Sequence, residues 1–217
     1  MTPFPLVLSS PSGAGKSTIA KALLSARESL AYSISATTRP PRPGEVDGRD
    51  YHFVSAEEFE RRVRAGDFVE WARYSGHLYG TLKSEIDAIL ASGRHAVLDI
   101  EIEGARNVRR LYPDAVLVFV APPSAQELLR RLGGTDGTRA ASLVPRLRRA
   151  VEELQEAAKY DYVVINVDRT DAVAAVAAIL DAESKRPRRA PTLEPDLAQL
   201  GREIGEVADR LAQRRES

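Results

Sequence analysis

The 217-residue sequence contains no cysteine, which excludes disulfides, thiolate metal centres and a cysteine nucleophile. It also lacks a surplus of either charge. Lys plus Arg and Asp plus Glu number 31 each, so no global field draws the chain to nucleic acid or to a membrane surface. No apolar run approaches the roughly 20 residues that span a bilayer. The first residues lack the basic, apolar and small-residue order of a secretory signal. The expectation is a soluble cytoplasmic protein with no membrane partner. Its length suits one core domain with appendages.

The strongest signal that is present lies near the start. An apolar run, Phe4 to Leu8, leads into Ser9-Ser10-Pro11-Ser12-Gly13-Ala14-Gly15-Lys16-Ser17-Thr18, and a helical pattern of Ile19, Ala20, Leu23 and Leu24 follows. Strand, tight loop and helix N-terminus converge backbone N–H groups on a concave anion site, which Lys16 crosses with a mobile positive charge. A di- or triphosphate is the natural ligand. Ser10 stands where the G-x-x-x-x-G-K-S/T formula has its first glycine, a departure that matters if the position needs glycine's backbone freedom.

After the first helix, Tyr32 to Ser35 alternates as a short strand. Thr37 to Glu45 then carries Pro40, Pro41 and Pro43, which exclude a helix interior and stiffen a loop that holds Arg39 and Arg42. Guanidinium groups on such a loop match phosphate with two prongs. Asp50 to Val54 reads as a strand, Ser55 with Glu58 as the cap of a helix to about Ala65, and Phe68–Ala72 and Tyr74–Tyr79 as two more strands. Residues 37–81 are thus expected to form a β-rich insertion.

A helix from Leu82 to Ala91 returns to the main fold. Ala96 to Ile100 is a buried-looking strand with Asp99 near its C-terminal end, where open α/β sheets place ligands and where an acid can orient magnesium or its waters. Gly104–Leu111 is helical, Ala115–Val120 a strand, and Ser124 caps a helix through Leu132. The glycine-rich stretch from Gly133 suits a mobile lid over 133–144. A helix resumes at Leu143 with Pro145 in its first turn, Tyr162–Ile165 is the last strand, and Asp171–Ala182 closes the core. Strands alternating with helices predict an α/β fold with a parallel sheet.

With these parts in place, the chain resembles the guanylate kinases, on Tyr32-Ser33-Ile34-Ser35-Ala36-Thr37-Thr38-Arg39-Pro40-Pro41-Arg42-Pro43-Gly44-Glu45, Gly48-Arg49-Asp50-Tyr51, Glu70-Trp71, Tyr79-Gly80-Thr81 and Leu98-Asp99-Ile100-Glu101. The resemblance implies a three-layer P-loop NTPase fold over residues 1–183, with 37–81 as the GMP-binding insertion. It implies transfer of the γ-phosphoryl group of ATP to GMP, and to dGMP, with Mg²⁺ held by Ser17 and, through water, by Asp99. Residues 10–18 and Asn166 would hold ATP. Arg39, Arg42, Tyr51 and Tyr79 would take the GMP phosphate, and Ser35, Glu70, Thr81 and Glu101 the nucleoside. Lys16, Arg39, Arg131 and Arg146 would stabilise the transferring group.

The chemistry of Glu70 points the same way, because guanine offers N1–H and N2–H side by side for one carboxylate and adenine has no such pair. Departures from the family pattern are Ser10, Glu101 in place of Asp, Ile102-Glu103 after it, Val167, and Thr135 where the lid has an arginine that Arg139 can replace. Two other readings remain open from the residues: a non-enzymatic module that binds a phosphorylated partner in the arginine pocket, and a kinase for another nucleotide.

The family pattern stops near Ala182. Residues 184–191 read as a solvated basic connector rather than a nucleic-acid contact. Leu197, Leu200, Ile204, Val207 and Leu211 then form one apolar seam of a helix, expected to pack on the core, on a second copy or on another partner.

Overall fold

A computed structural model describes residues 2–133 and 140–213. Along the chain run β1 (Pro5–Ser9), α1 (Lys16–Ala26), β2 (Leu30–Tyr32), β3 (Ser35–Thr37), β4 (His52–Phe53), α2 (Ala56–Ala65), β5 (Phe68–Tyr74), β6 (His77–Leu82) and α3 (Lys83–Ala91). Then come β7 (His95–Asp99), α4 (Ile102–Leu111), β8 (Val116–Ala121), α5 (Ala125–Arg131), α6 (Ala140–Glu156), β9 (Tyr162–Ile165), α7 (Arg169–Ser184) and α8 (Leu193–Gln213). Two sheets result. A five-stranded sheet in the order β2-β7-β1-β8-β9 is parallel throughout, and a four-stranded sheet in the order β4-β3-β6-β5 is mixed.

The parallel sheet is buried on both faces, and alternation decides which side chain meets which layer. Leu6 and Leu8 of β1 pack with Ile19 and Leu23 of α1 and with Val176 and Leu180 of α7. Val7, between them, points the other way, to Ile86 and Ile89 of α3 and to Ala105 and Val108 of α4. Each large side chain so buried contributes about 1.5–3 kcal/mol. The sheet thereby lies between two helical layers. Its C-terminal edge carries the loops after β1 and β7.

Three expectations need correction. Tyr32 to Ser35 is no single strand, because β2 pairs with β7 while Ser35 pairs with Thr81 in the other sheet. The Ser33 amide still donates to Val97, at 3.0 Å, so the chain changes sheets at Ile34. Pro145 is not in a first turn, since α6 begins at Ala140; its ring costs one backbone bond, tolerated because Leu143 and Ala150 on either side are buried.

The third correction concerns the basic connector. α7 extends to Ser184 and a 3-10 turn follows at Pro187–Arg189. Arg189 is only 1% exposed, not solvated. The lid positions Gly134, Thr135, Gly137 and Arg139 lie outside the described residues. Among the described residues, no helix is long and apolar enough to cross a membrane.

Candidate active site

The loop after β1 wraps the N-terminus of α1. Gly15 is the N-cap residue with φ 102°, in the left-handed region that disfavours a side chain. A Cβ there would also lie 2.6 Å from Nδ2 of Asn166. Glycine is required at that point for both reasons. Ser10 differs: Ser75 is the one non-glycine residue with positive φ among those described, so Ser10 needs none of glycine's freedom. Its hydroxyl donates to the Pro11 carbonyl at 3.0 Å. The loop closes around a cleft of about 440 Å³, bordered on one side by Glu101.

Lys16 and Asp99 meet at the C-terminal ends of β1 and β7. Nζ lies 3.1 Å from Asp99 Oδ1 and 3.3 Å from the Ile100 carbonyl. Apart from Lys16, that buried carboxylate oxygen has no partner. Behind the loop, the Ala14 carbonyl accepts from Asn166 Nδ2 at 2.7 Å and from Arg131 Nη1 at 3.2 Å. Arg131 also donates to the Asn166 carbonyl, and Glu127 fixes its Nε at 2.7 Å. The two arginines Arg130 and Arg131 push the Glu127 carboxyl down to about 2. From α6, Arg146 donates to the Ser12 hydroxyl at 2.7 Å.

The second sheet presents a different surface. Arg39 is buried with its guanidinium held by Glu45 Oε1 and the Pro40 carbonyl, both at 2.8 Å. It lies 5.4 Å from the Tyr51 ring centre, and the Tyr51 and Tyr79 rings meet at 6.0 Å. Arg42 is exposed beside them, its backbone N–H donating to the other Glu45 oxygen at 2.7 Å. These two bonds draw the Glu45 carboxyl below its ordinary range, the Arg39 contact being the larger cause.

Glu70 and Thr81 stand opposite each other on β5 and β6, and Ser35 of β3 pairs with Thr81 from the far side. The Thr81 hydroxyl donates to Glu70 Oε1 at 2.7 Å. Burial raises the Glu70 pKa, opposed by the Thr81 bond and by the positive field of Lys16. Gly104 on α4 makes this approach possible, since a Cβ there would lie 2.9 Å from Glu70 Cγ. The helix that Glu70 touches begins at Ile102, directly after Glu101 at the rim of the loop cleft. The two polar regions are therefore neighbours across one helix N-terminus.

Most of the residues singled out in the sequence fall in these two regions: residues 10–18, Asp99, Arg131, Arg146 and Asn166 at the loop, and Ser35, Arg39, Arg42, Tyr51, Glu70, Tyr79 and Thr81 on the second sheet. Glu101 sits at the rim, ion-paired with Arg149 rather than turned to the second sheet. Arg149, Glu45, Glu127 and Gly104 were not singled out. The spacing of Glu127 and Arg131, one helical turn apart, is the kind of signal that reveals such a pair. A cleft lined by a helix N-terminus and a lysine, next to a second site with two arginines and a half-buried acid, can bind two phosphorylated molecules side by side.

A family model described as guanylate kinase matches residues 2–183. The guanylate kinase of Rubrobacter xylanophilus is 53% identical over 163 residues, which is 75% of this chain and 85% of that one. That of Symbiobacterium thermophilum is 46% identical over 184 residues, 85% and 87% of the two chains. The crystal structure of guanylate kinase from Anaplasma phagocytophilum superposes with a TM-score of 0.67 at 34% identity, covering 87% of this chain and 89% of that one.

Proposed function

The chain belongs to the guanylate kinase family, and from that premise we propose how its residues transfer the γ-phosphoryl group of ATP to GMP. ATP is the co-substrate of the reaction. The loop amides of residues 10–18 and Lys16 take its β- and γ-phosphates, with Asn166 toward the adenine. Arg39, Arg42, Tyr51 and Tyr79 take the GMP phosphate, and Ser35, Glu70 and Thr81 read the base. dGMP fits the same reading, because none of these contacts needs the 2′-hydroxyl.

One observation carries this assignment: Glu70 is half-buried, bonded to Thr81 and within the field of Lys16. Ionised, its two oxygens accept N1–H and N2–H of guanine together. Adenine would leave the carboxylate unpaired in a poorly solvated place, and sites of that kind reject the wrong ligand by up to about 10⁴–10⁵.

In the transfer, a GMP phosphate oxygen attacks the γ-phosphorus as the bond from the γ-phosphorus to the β,γ-bridging oxygen breaks, and ADP departs with that oxygen. The attacking oxygen is already ionised, so no general base is needed. The protein's part is alignment and charge. Arg131 and Arg146 stand beside the loop to neutralise the moving group. The donor set also suits magnesium, because a buried Asp99 carboxylate oxygen meets Lys16 alone and Ser17 lines the cleft. Bound there with the phosphates, the ion would neutralise their charge, held by Ser17 and by Asp99 through water. The proposed compartment is the cytoplasm, where both nucleotides are available.

Turnover of GMP, dGMP, AMP, UMP and CMP with ATP tests the reading. GDP and dGDP should form rapidly and the other diphosphates should not. Equal turnover of AMP would overturn the base assignment. GMP binding without turnover would support a non-enzymatic module instead.

A further inference from the structure

The tail after α7 is fastened to the core before it leaves it. Arg189 Nη2 lies 3.2 Å from Glu183 Oε2 and 2.9 Å from the Asp114 carbonyl. Its guanidinium carbon stands 3.9 Å from the Phe4 ring centre. The Tyr162 hydroxyl donates to Glu183 Oε1 at 2.5 Å, and the Arg189 carbonyl accepts from the Thr2 amide at 2.8 Å. From this mount α8 extends with Leu197, Leu200, Ile204 and Val207 on one stripe, each 47–61% exposed. Steps of three, four and three residues are the spacing of a coiled-coil seam. A helix of this length with its apolar stripe in water is marginally stable alone.

We infer that α8 is a self-association surface on which two copies of this chain pair antiparallel, centred at residue 202. The register with the longest overlap sets Leu200 against the partner's Ile204 and Leu197 against the partner's Val207, with positions 193 and 211 closing its ends. On one flank Asp196 then faces the partner's Arg210, twice by symmetry. Glu203 faces the partner's Glu203 on the same flank, the one like-charge contact. On the other flank Gly201 faces its own copy at the dyad.

Gly201 has open space around it within its own chain. Glycine inside an exposed helix weakens it, whereas a second helix approaching closely makes use of the missing Cβ. A parallel pair lacks these matches, because Asp196 would face Gly201 and Glu203 would face Ala208. It would also bring both cores, mounted at residue 193, to the same end. The antiparallel pair separates them along a helix of about 30 Å.

Analytical ultracentrifugation of the full chain over a wide concentration range tests the inference. The mass should rise from 23.7 kDa toward twice that value. A Leu200→Glu/Ile204→Glu variant should stay at the single-chain mass while retaining wild-type GMP phosphorylation. Asp196→Arg and Arg210→Asp should each weaken the dimer about tenfold, the double variant should recover it, and Glu203→Gln should tighten it. A wild-type mass that never rises overturns the inference, as does a dimer indifferent to Leu200→Glu/Ile204→Glu. Failure of the double charge swap to recover association overturns the antiparallel register.

Discussion

The Thr81 hydroxyl donates to Glu70 Oε1 at 2.7 Å, and this bond joins two strands of the second sheet at the point where a half-buried acid lies in the field of the phosphate loop's lysine. The Glu70 carboxylate is thereby oriented before any ligand arrives. It must be ionised to accept two guanine donors.

Glu70→Gln should therefore lower kcat/KM for GMP by about 10–100-fold, the worth of a hydrogen bond to a charged group. Its KM for ATP should be little changed. Steady-state kinetics with each substrate varied in turn checks this.

Burial raises the Glu70 pKa, so kcat/KM for GMP should fall as pH drops through that raised value and the carboxyl becomes protonated. The sign for folding is the reverse. Ionising this group costs the fold, so its contribution to stability is greatest below the unfolded-state pKa and is lost as pH rises through the folded-state value. The acidic limb of the GMP profile should be absent in Glu70→Gln.

Lys16→Met should reduce turnover by at least about 10²–10³, the scale on which removal of a preorganised charge acts in phosphoryl and acyl transfer. GMP binding, measured by calorimetry, should survive, because Lys16 lies at the loop and not among the residues assigned to the GMP phosphate. Loss of GMP binding along with turnover would contradict the separation of the two nucleotide sites.

Arg189→Ala removes the buried cation that shares Glu183 with Arg186 and the Tyr162 hydroxyl and that stands over Phe4. Because Arg186 still pairs with Glu183, the loss should be that of a hydrogen bond to a charged group, about 1.5–3 kcal/mol, equivalent to about 3–12 °C in Tm for a domain of this size. Thermal unfolding followed by circular dichroism checks the size of the drop. GMP turnover at low temperature should remain close to wild type.

Much of this was readable in the chain because the informative residues are contiguous. Residues 9–18 and 35–51 each hold a loop whose chemistry depends on local spacing, and the family resemblance marks Glu70, whose carboxylate suits the donor pattern of guanine. The change of sheet at Ile34 was not readable, since it depends on which distant strand each half pairs with. Arg189 looked solvated because charge and proline in a short stretch describe a connector equally well; only Phe4, Glu183 and Asp114, distant in sequence or on another element, make it a core residue. Ser10 looked like a defect until its backbone angle was known. Nothing in the sequence marks Arg149, because its pairing with Glu101 depends on how α6 lies against the loop.

The most direct test is the ratio of kcat/KM for GMP to that for AMP, measured with ATP as donor in the same assay. A half-buried carboxylate that reads N1–H and N2–H predicts a ratio of at least about 10³. A ratio near unity, or rapid ATP hydrolysis that needs no GMP, would contradict the account.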